Sequence, residues 1–219
     1  MKQITLRGLS GLSVGTVYCI GRNYVAHARE LGNEVPDRPL TFIKPASSIT
    51  FNGPIQLPRQ SNDVHHEVEL VVAVGKEGKN IPSSRALSYV AGYAVGIDVT
   101  ARDIQSRAKE KGHPWSVAKG FDTFAPLSSF VPAGRVSDPR NLELSLRLNS
   151  SLRQQSSTGL MIFSVADLIS YLSEIFTLHP GDLIFTGTPE GVSPLSSGDQ
   201  IEASLEPALA KLNIEVASL

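Results

Sequence analysis

The first regular signal in the chain is a short apolar run at residues 17–20 closed by Gly21, which predicts a buried strand. Asn23 then stands in a capping position and Gly32 at a stop, so residues 24–31 are predicted as a short helix. Residues 36–39, bounded by Pro36 and Pro39, are predicted as loop, and residues 40–44 as a strand ahead of Pro45. The clearest strand is 65–74, where alternation puts Glu67 and Glu69 on one face and Val68, Leu70 and Val72 on the other. A helix is predicted at 83–90 and a strand at 93–99. Thr100 and Asp103 have capping-box spacing, which predicts a helix opening at Thr100 and closing at Gly112. Residues 142–148 alternate, and Asn149-Ser150 predicts a turn into a return strand. Ser164 and Asp167 repeat the capping box before a helix with Val165, Leu168, Ile169, Leu172, Ile175 and Phe176 as its buried stripe. Pro180-Gly181 turns into a strand at 183–186, and late strands are predicted at 201–205 and 212–216. Many strands and few helices without regular β-α alternation predict an α+β fold on a mixed β-sandwich or roll, not a doubly wound sheet.

Composition narrows the function classes. With 219 residues and 41% of them apolar, the chain can bury a proper core, and one domain over residues 1–219 is expected. Lys and Arg number 20 against 21 Asp and Glu, so the basic excess of a nucleic-acid-binding face is missing. The longest apolar candidate, residues 89–99, is too short for a membrane span and contains Asp98. Lys2 could open a signal peptide, but Arg7 interrupts its apolar part. A single cysteine, Cys19, excludes a disulfide within the chain and fits a reducing compartment. A cytoplasmic protein with neither nucleic-acid nor membrane partners is expected, with Cys19 inert in its buried strand.

The candidate chemistry begins at His65-His66-Glu67-Val68-Glu69, with Asp98 on the next predicted strand. Two carboxylates at i and i+2 on a strand point the same way, and a third could close an all-oxygen cluster. Such a cluster selects a hard cation, Mg²⁺ or Mn²⁺ first, and it also admits Ca²⁺. The spacing equally fits a solvent-facing strand; against that, Asp98 lies in an otherwise apolar run where an unpaired charge is costly. Of the two histidines, alternation puts His65 on the carboxylate face. His27 and Glu30, at i and i+3 on the short helix, share a face, so the carboxylate can orient the imidazole as a general base. They also fit an incidental surface pair. Lys119 lies in a stretch poor in polar residues and could neutralise an oxyanion, and Gln105 and Arg102 sit on the helix that Asp98 introduces. Thr186-Gly187-Thr188-Pro189 could offer N–H groups and hydroxyls to a carboxylate, or be a plain turn. Gly11-Leu12-Ser13-Val14-Gly15 matches a nucleophile-elbow string but lacks the required strand before and helix after.

Taken in order, five strings resemble the fumarylacetoacetate hydrolase family: Gly21-Arg22-Asn23-Tyr24 with His27 and Glu30; Phe42-Ile43-Lys44-Pro45; His65-His66-Glu67-Val68-Glu69-Leu70; Asp98-Val99-Thr100-Ala101-Arg102-Asp103-Ile104-Gln105; and Thr186-Gly187-Thr188-Pro189-Glu190-Gly191-Val192. The similarity is greatest to its small single-domain branch, which includes acylpyruvases and oxaloacetate decarboxylases. The extra N-terminal domain of larger members is not expected in a chain of this length. The resemblance implies a mixed β-sandwich roll with a few flanking helices and a homodimer. It implies Mg²⁺ or Mn²⁺ on Glu67, Glu69 and Asp98. His27 and Glu30 would lie on a lid, with Gln105 and Lys119 around the reacting group. Arg22, Arg102, Gly187 and Thr188 would contact the substrate, a small 2-oxo acid. Acylpyruvate C–C hydrolysis or oxaloacetate decarboxylation is expected. Keto–enol tautomerisation and dienedioate isomerisation on the same site are the alternatives, and a non-catalytic protein with a structural cation is the remote one.

Overall fold

A computed structural model of the chain describes residues 5–207 and 209–218, so Lys2 lies outside the described residues. Two sheets dominate. The first runs in the order Val131–Pro132, Val90–Ile97, Val68–Val74, Leu183–Phe185, Val17–Gly21, Leu40–Lys44. It is mixed, because Val17–Gly21 pairs parallel with Leu183–Phe185 while its other neighbours are antiparallel. The second runs Ser151–Ser157, Glu143–Leu148, Gln200–Glu206, Ala210–Ser218, Ile55–Leu57, with only the last pair parallel. Leu144, Leu146, Ile201, Ala203, Leu205 and Leu212 on this sheet share one core with Val68, Leu70, Val72 and Val74 on the other. The architecture is the expected α+β mixed sandwich roll with few helices.

The strand Val68–Val74 is buried on both faces. Its even positions enter the core between the sheets. Val71 and Ala73 enter a second core with Val17, Cys19, Ala94, Leu127, Leu183 and Phe185. Glu67 and Glu69 share the parity of Val71 and Ala73, so the face that carries two carboxylates at one end becomes apolar core at the other. Burial of this face removes the reading of an exposed amphipathic strand.

Other expectations shift locally. The strand predicted at 65–74 is interrupted at Glu67, between Val64–His66 in a small sheet and Val68–Val74 in the large one. The helix predicted at 83–90 is a single turn, Ser83–Ala86, running into a 3-10 turn, Leu87–Tyr89. The strand predicted at 93–99 is Val90–Ile97, so Asp98 sits just past its end. Neither Asn23 nor Thr100 caps a helix. Thr100 lies in the short strand Thr100–Ala101, where it pairs with His65, and the helix Arg102–Glu110 starts without a side-chain cap. Asp103 instead accepts from Ser61 Oγ at 2.6 Å. The capping box at Ser164 and Asp167 forms on the helix Val165–Ile175, whose stripe is buried through Leu172, but Ile175 is 49% exposed at its end. Asn149 and Ser150 turn with φ of 50° and 66° into the return strand.

Candidate active site

Register brings the carboxylates together. Val68 pairs with Ile97 across the sheet, and the Asp98 N–H donates to the Glu67 carbonyl at 2.8 Å, so the two acids are cross-strand neighbours. Glu69 lies two residues further on the same face, opposite Gly96. One oxygen from each of Glu67, Glu69 and Asp98 lies within 4.8 Å of the others, and all three residues are buried.

Three cations pair with this cluster. Lys119 Nζ lies 2.8 Å from Glu67 Oε2 and 2.6 Å from Asp98 Oδ2. Arg102 reaches Glu67 Oε1 at 2.5 Å and donates to Gln105 Oε1 at 2.8 Å. Lys44 Nζ lies 2.8 Å from Asp98 Oδ1 and also donates to the carbonyls of Val99, Phe124 and Lys119. Through the last of these, Lys44 fixes the turn Ser116–Lys119 that presents Lys119. Burial opposes ionisation of Glu67, but Lys119 and Arg102 outweigh it and hold its carboxyl well below the usual range. Among the described residues Glu69 makes no ion pair, and Lys119 acts on it only weakly. Burial first, then the Asp98 and Glu67 charges, push its carboxyl well above the usual range against one N–H bond from Gly187. Burial works against the Lys119 ammonium, but Asp98 and Glu67 raise its pKa.

A buried all-oxygen donor set, one of whose carboxyls cannot comfortably ionise beside the other two, fits a hard divalent cation. The cation would supply the charge that Glu69 lacks.

The remaining predicted residues surround the cluster. His27, Arg22, Arg102, Gln105, Lys119 and Thr188 line one pocket with the three acids. His27 Nδ1 lies 3.3 Å from Glu30 Oε2, while Glu30 Oε1 accepts from the Gly191 N–H at 3.0 Å. Glu30 thus ties the helix Val25–Glu30 to the loop after Phe185. Burial lowers the His27 pKa, which favours the neutral ring over the imidazolium. Gly187 adopts φ of 99°, and a Cβ there would stand 2.6 Å from Asn23 Cβ. Only glycine lets this backbone approach closely enough to donate to Glu69. Asn23 itself bridges the Phe163 and Thr186 carbonyls and the Phe163 N–H.

Neither neighbouring histidine joins the cluster, and His65, placed on the carboxylate face by alternation, pairs with Asp63 at 2.8 Å instead. The break at Glu67 is what ends the alternation there. His66 is buried between Gln154 and Ser193. Sequence reading assigned no role to Lys44 or Gln154. Gln154 Oε1 accepts from the Val68 N–H, and its Nε2 donates to Thr188 Oγ1, which joins the start of the central strand to the loop. A lysine inside a strand whose neighbours are apolar was the available signal for Lys44. Nothing local marks Gln154, whose partners are 34 to 88 residues away. The elbow-like string around Ser13 forms an isolated bridge to Thr5, with no strand–turn–helix. Cys19 is buried, and its thiol is pushed well up by burial and by Asp98.

Residues 16–217 match the profile of the family described as fumarylacetoacetate (FAA) hydrolase C-terminal. The chain belongs to the fumarylacetoacetate hydrolase family. Among its relatives, an Arabidopsis thaliana protein named oxaloacetate tautomerase FAHD1, mitochondrial, is 51% identical over 86% of this chain and 85% of that one. A Dictyostelium discoideum oxaloacetate decarboxylase, mitochondrial, is 47% identical over 86% and 88%. A crystal structure of fumarylpyruvate hydrolase from Pseudomonas aeruginosa, in complex with Mn²⁺ and pyruvate, superposes with a TM-score of 0.93. It is 41% identical, with 100% of this chain and 96% of that one covered. Homologues in this family thus act on oxaloacetate or fumarylpyruvate by name. No helix among the described residues is long and apolar enough to cross a membrane.

Proposed function

We propose that the chain is a single-domain, divalent-metal-dependent enzyme of small 2-oxo acids. It hydrolyses the C–C bond of acylpyruvates, of acetylpyruvate or fumarylpyruvate type, and releases CO₂ from oxaloacetate. The observation that carries this reading is the buried convergence of Glu67, Glu69 and Asp98 in one pocket with His27 and Lys119. On this reading the three acids hold Mg²⁺ or Mn²⁺, and the Mn²⁺ of the Pseudomonas neighbour supports the second. When bound, the cation supplies Lewis-acid polarisation of the 2-oxo group and offsets the negative charge that develops there.

For an acylpyruvate, neutral His27 takes a proton from water at Nε2 while Glu30 holds Nδ1–H. The hydroxide adds to the distal carbonyl. The Lys119 ammonium and the amide NH₂ of Gln105 face the oxyanion, Gln105 using its Oε1 on Arg102. Collapse breaks the C–C bond and releases the acid. The electron pair stays on the three-carbon fragment, which takes up a proton to become pyruvate. For oxaloacetate no water is added: the distal carboxylate leaves as CO₂ and the same fragment is protonated. Arg22, Arg102, Gly187 and Thr188 orient the substrate.

A second reading is oxaloacetate keto–enol tautomerisation, favoured by the Arabidopsis relative's name and by a neutral His27 able to accept and return a proton. The test is a panel of acetylpyruvate, fumarylpyruvate and oxaloacetate with Mg²⁺ and Mn²⁺, followed by enol absorbance and pyruvate release. His27→Ala should abolish acylpyruvate cleavage while leaving appreciable oxaloacetate decarboxylation. Equal loss of both contradicts the split of roles, and loss of enol absorbance without pyruvate selects the tautomerase. A homodimer and a cytoplasmic setting belong to the same proposal. Sedimentation and fractionation test them, the latter because relatives carry mitochondrial names.

A further inference from the structure

We propose that Gln154, which reaches the site from the second sheet, is a positioning residue: it fixes the Thr188 hydroxyl as a hydrogen-bond donor towards the pocket. The inference rests on the function proposed above and deepens it, by assigning what makes the Thr188 side of the pocket receive a carboxylate.

Gln154 lies on the edge strand Ser151–Ser157 and is 1% exposed. A buried amide is costly unless its polar atoms are paired, and this one is paired on both sides. Its Oε1 lies 3.0 Å from the Val68 nitrogen and 2.9 Å from His66 Nδ1. Its Nε2 lies 2.9 Å from Thr188 Oγ1 and 2.9 Å from the Pro189 carbonyl oxygen. Two of these partners have a fixed polarity. A backbone N–H only donates, so the atom facing Val68 is the amide oxygen. A carbonyl only accepts, so the atom facing Pro189 is the NH₂ group. The amide cannot turn over without losing both bonds. Thr188 Oγ1 faces an NH₂ group and therefore accepts from it.

The Thr188 proton must then go elsewhere. Among the described residues its one acceptor is the Pro189 carbonyl at 3.4 Å, beyond the roughly 2.5–3.0 Å of a good O–H···O bond. Gln154 already occupies that carbonyl. Thr188 lines the pocket that holds Glu67, Glu69 and Asp98, so its proton is available to a bound molecule. A carboxylate oxygen only accepts, and it needs a donor opposite it. A reversed amide would draw the Thr188 proton to itself and leave lone pairs facing that carboxylate. The loop is held in place on both sides of the hydroxyl. Gly187 donates to Glu69 Oε2 at 2.8 Å, and Gly191 lies so near the strand that a Cβ there would stand 2.1 Å from the Arg153 carbonyl oxygen.

The test is a double-mutant cycle of Gln154→Glu and Thr188→Val, with Thr188→Ser beside it. Gln154→Glu keeps an oxygen for Val68 and puts a second oxygen in place of the NH₂ group. Thr188→Val keeps the shape and deletes the hydroxyl. Calorimetry measures pyruvate binding with Mg²⁺, and kinetics are read on oxaloacetate and acetylpyruvate. Each single variant should raise Kd and KM about 10- to 100-fold and change kcat less than about threefold, because a contact to the substrate carboxylate is the same before and during reaction. The double variant should match Thr188→Val within about twofold, since Gln154 acts through the hydroxyl. Thr188→Ser should keep most of the affinity. Gln154→Glu within about twofold of wild type, or losses that multiply in the double variant as a merely structural role would give, overturn the proposal. Should Gln154→Glu not fold, nuclear magnetic resonance of the Gln154 side-chain amide decides without substrate. Thr188→Val should shift one NH₂ proton and speed its exchange with solvent, and an unchanged amide overturns the donation. If wild type turns over 2-oxo acids and the variants match it, the positioning role falls and the proposed function stands. If wild type neither binds nor turns over a 2-oxo acid while the amide shift is seen, the function falls and the polarity of the hydroxyl stands.

Discussion

Mild acid should destabilise this protein through one buried imidazole. His66 has no exposed surface, with Nδ1 2.9 Å from Gln154 Oε1 and Nε2 2.7 Å from Ser193 Oγ. Gln154 Oε1 also accepts from the Val68 N–H, so the neutral ring with its proton on Nδ1 completes the network. Burial lowers the His66 pKa from 6.5 to about 4. As pH falls from 6.5 towards 4, the unfolded chain takes up a proton that the folded chain refuses, so stability falls through that window. The shift corresponds to about 3 kcal/mol when fully expressed, and about 2 kcal/mol of it is lost by pH 5. Urea unfolding of wild type and His66→Gln at pH 7 and pH 5, without added cation, measures it. Other titrating groups act in both proteins, so the wild type should lose about 2 kcal/mol more than the variant. Losses equal within about 0.5 kcal/mol would refute the assignment of this acid sensitivity to His66.

Two more perturbations probe the cluster. Lys44→Met leaves Asp98 short of a buried counter-charge and frees three carbonyls, so chemical denaturation should show a loss of about 3–5 kcal/mol; a loss under about 1 kcal/mol would mean that Lys44 does not hold the site. Glu69→Gln removes the carboxyl that burial and its two neighbours disfavour as an anion. Its cation-free melting temperature should equal or exceed the wild-type value, while the rise in melting temperature with Mn²⁺ that mass action gives the wild type should vanish. A full Mn²⁺ shift in the variant would remove Glu69 from the ligand set.

Elements governed by neighbours in sequence were legible from sequence. The box at Ser164 and Asp167 forms because both partners lie within one turn of the helix. The Asn149-Ser150 turn forms because Asn149 tolerates positive φ and the flanking alternation fixes the register. Thr100 carries the same capping spacing and does not cap, because strand pairing with His65 claims its backbone. Exposure could not be read from alternation, since Glu67 and Glu69 have the pattern of a solvent face and lie inside the molecule.

The identities of the chemical groups, and their pairing at i, i+2 or i, i+3, were set by the chain itself: Glu67 with Glu69, His27 with Glu30. Convergence belonged to the tertiary structure. Asp98 meets Glu67 through an antiparallel register, Gly187 meets Glu69 across 118 residues, and Lys44 reaches Asp98 from an edge strand. Charge on a strand says nothing of what packs over it. Only when the two sheets close does the environment become one in which three carboxylates lie together out of bulk water.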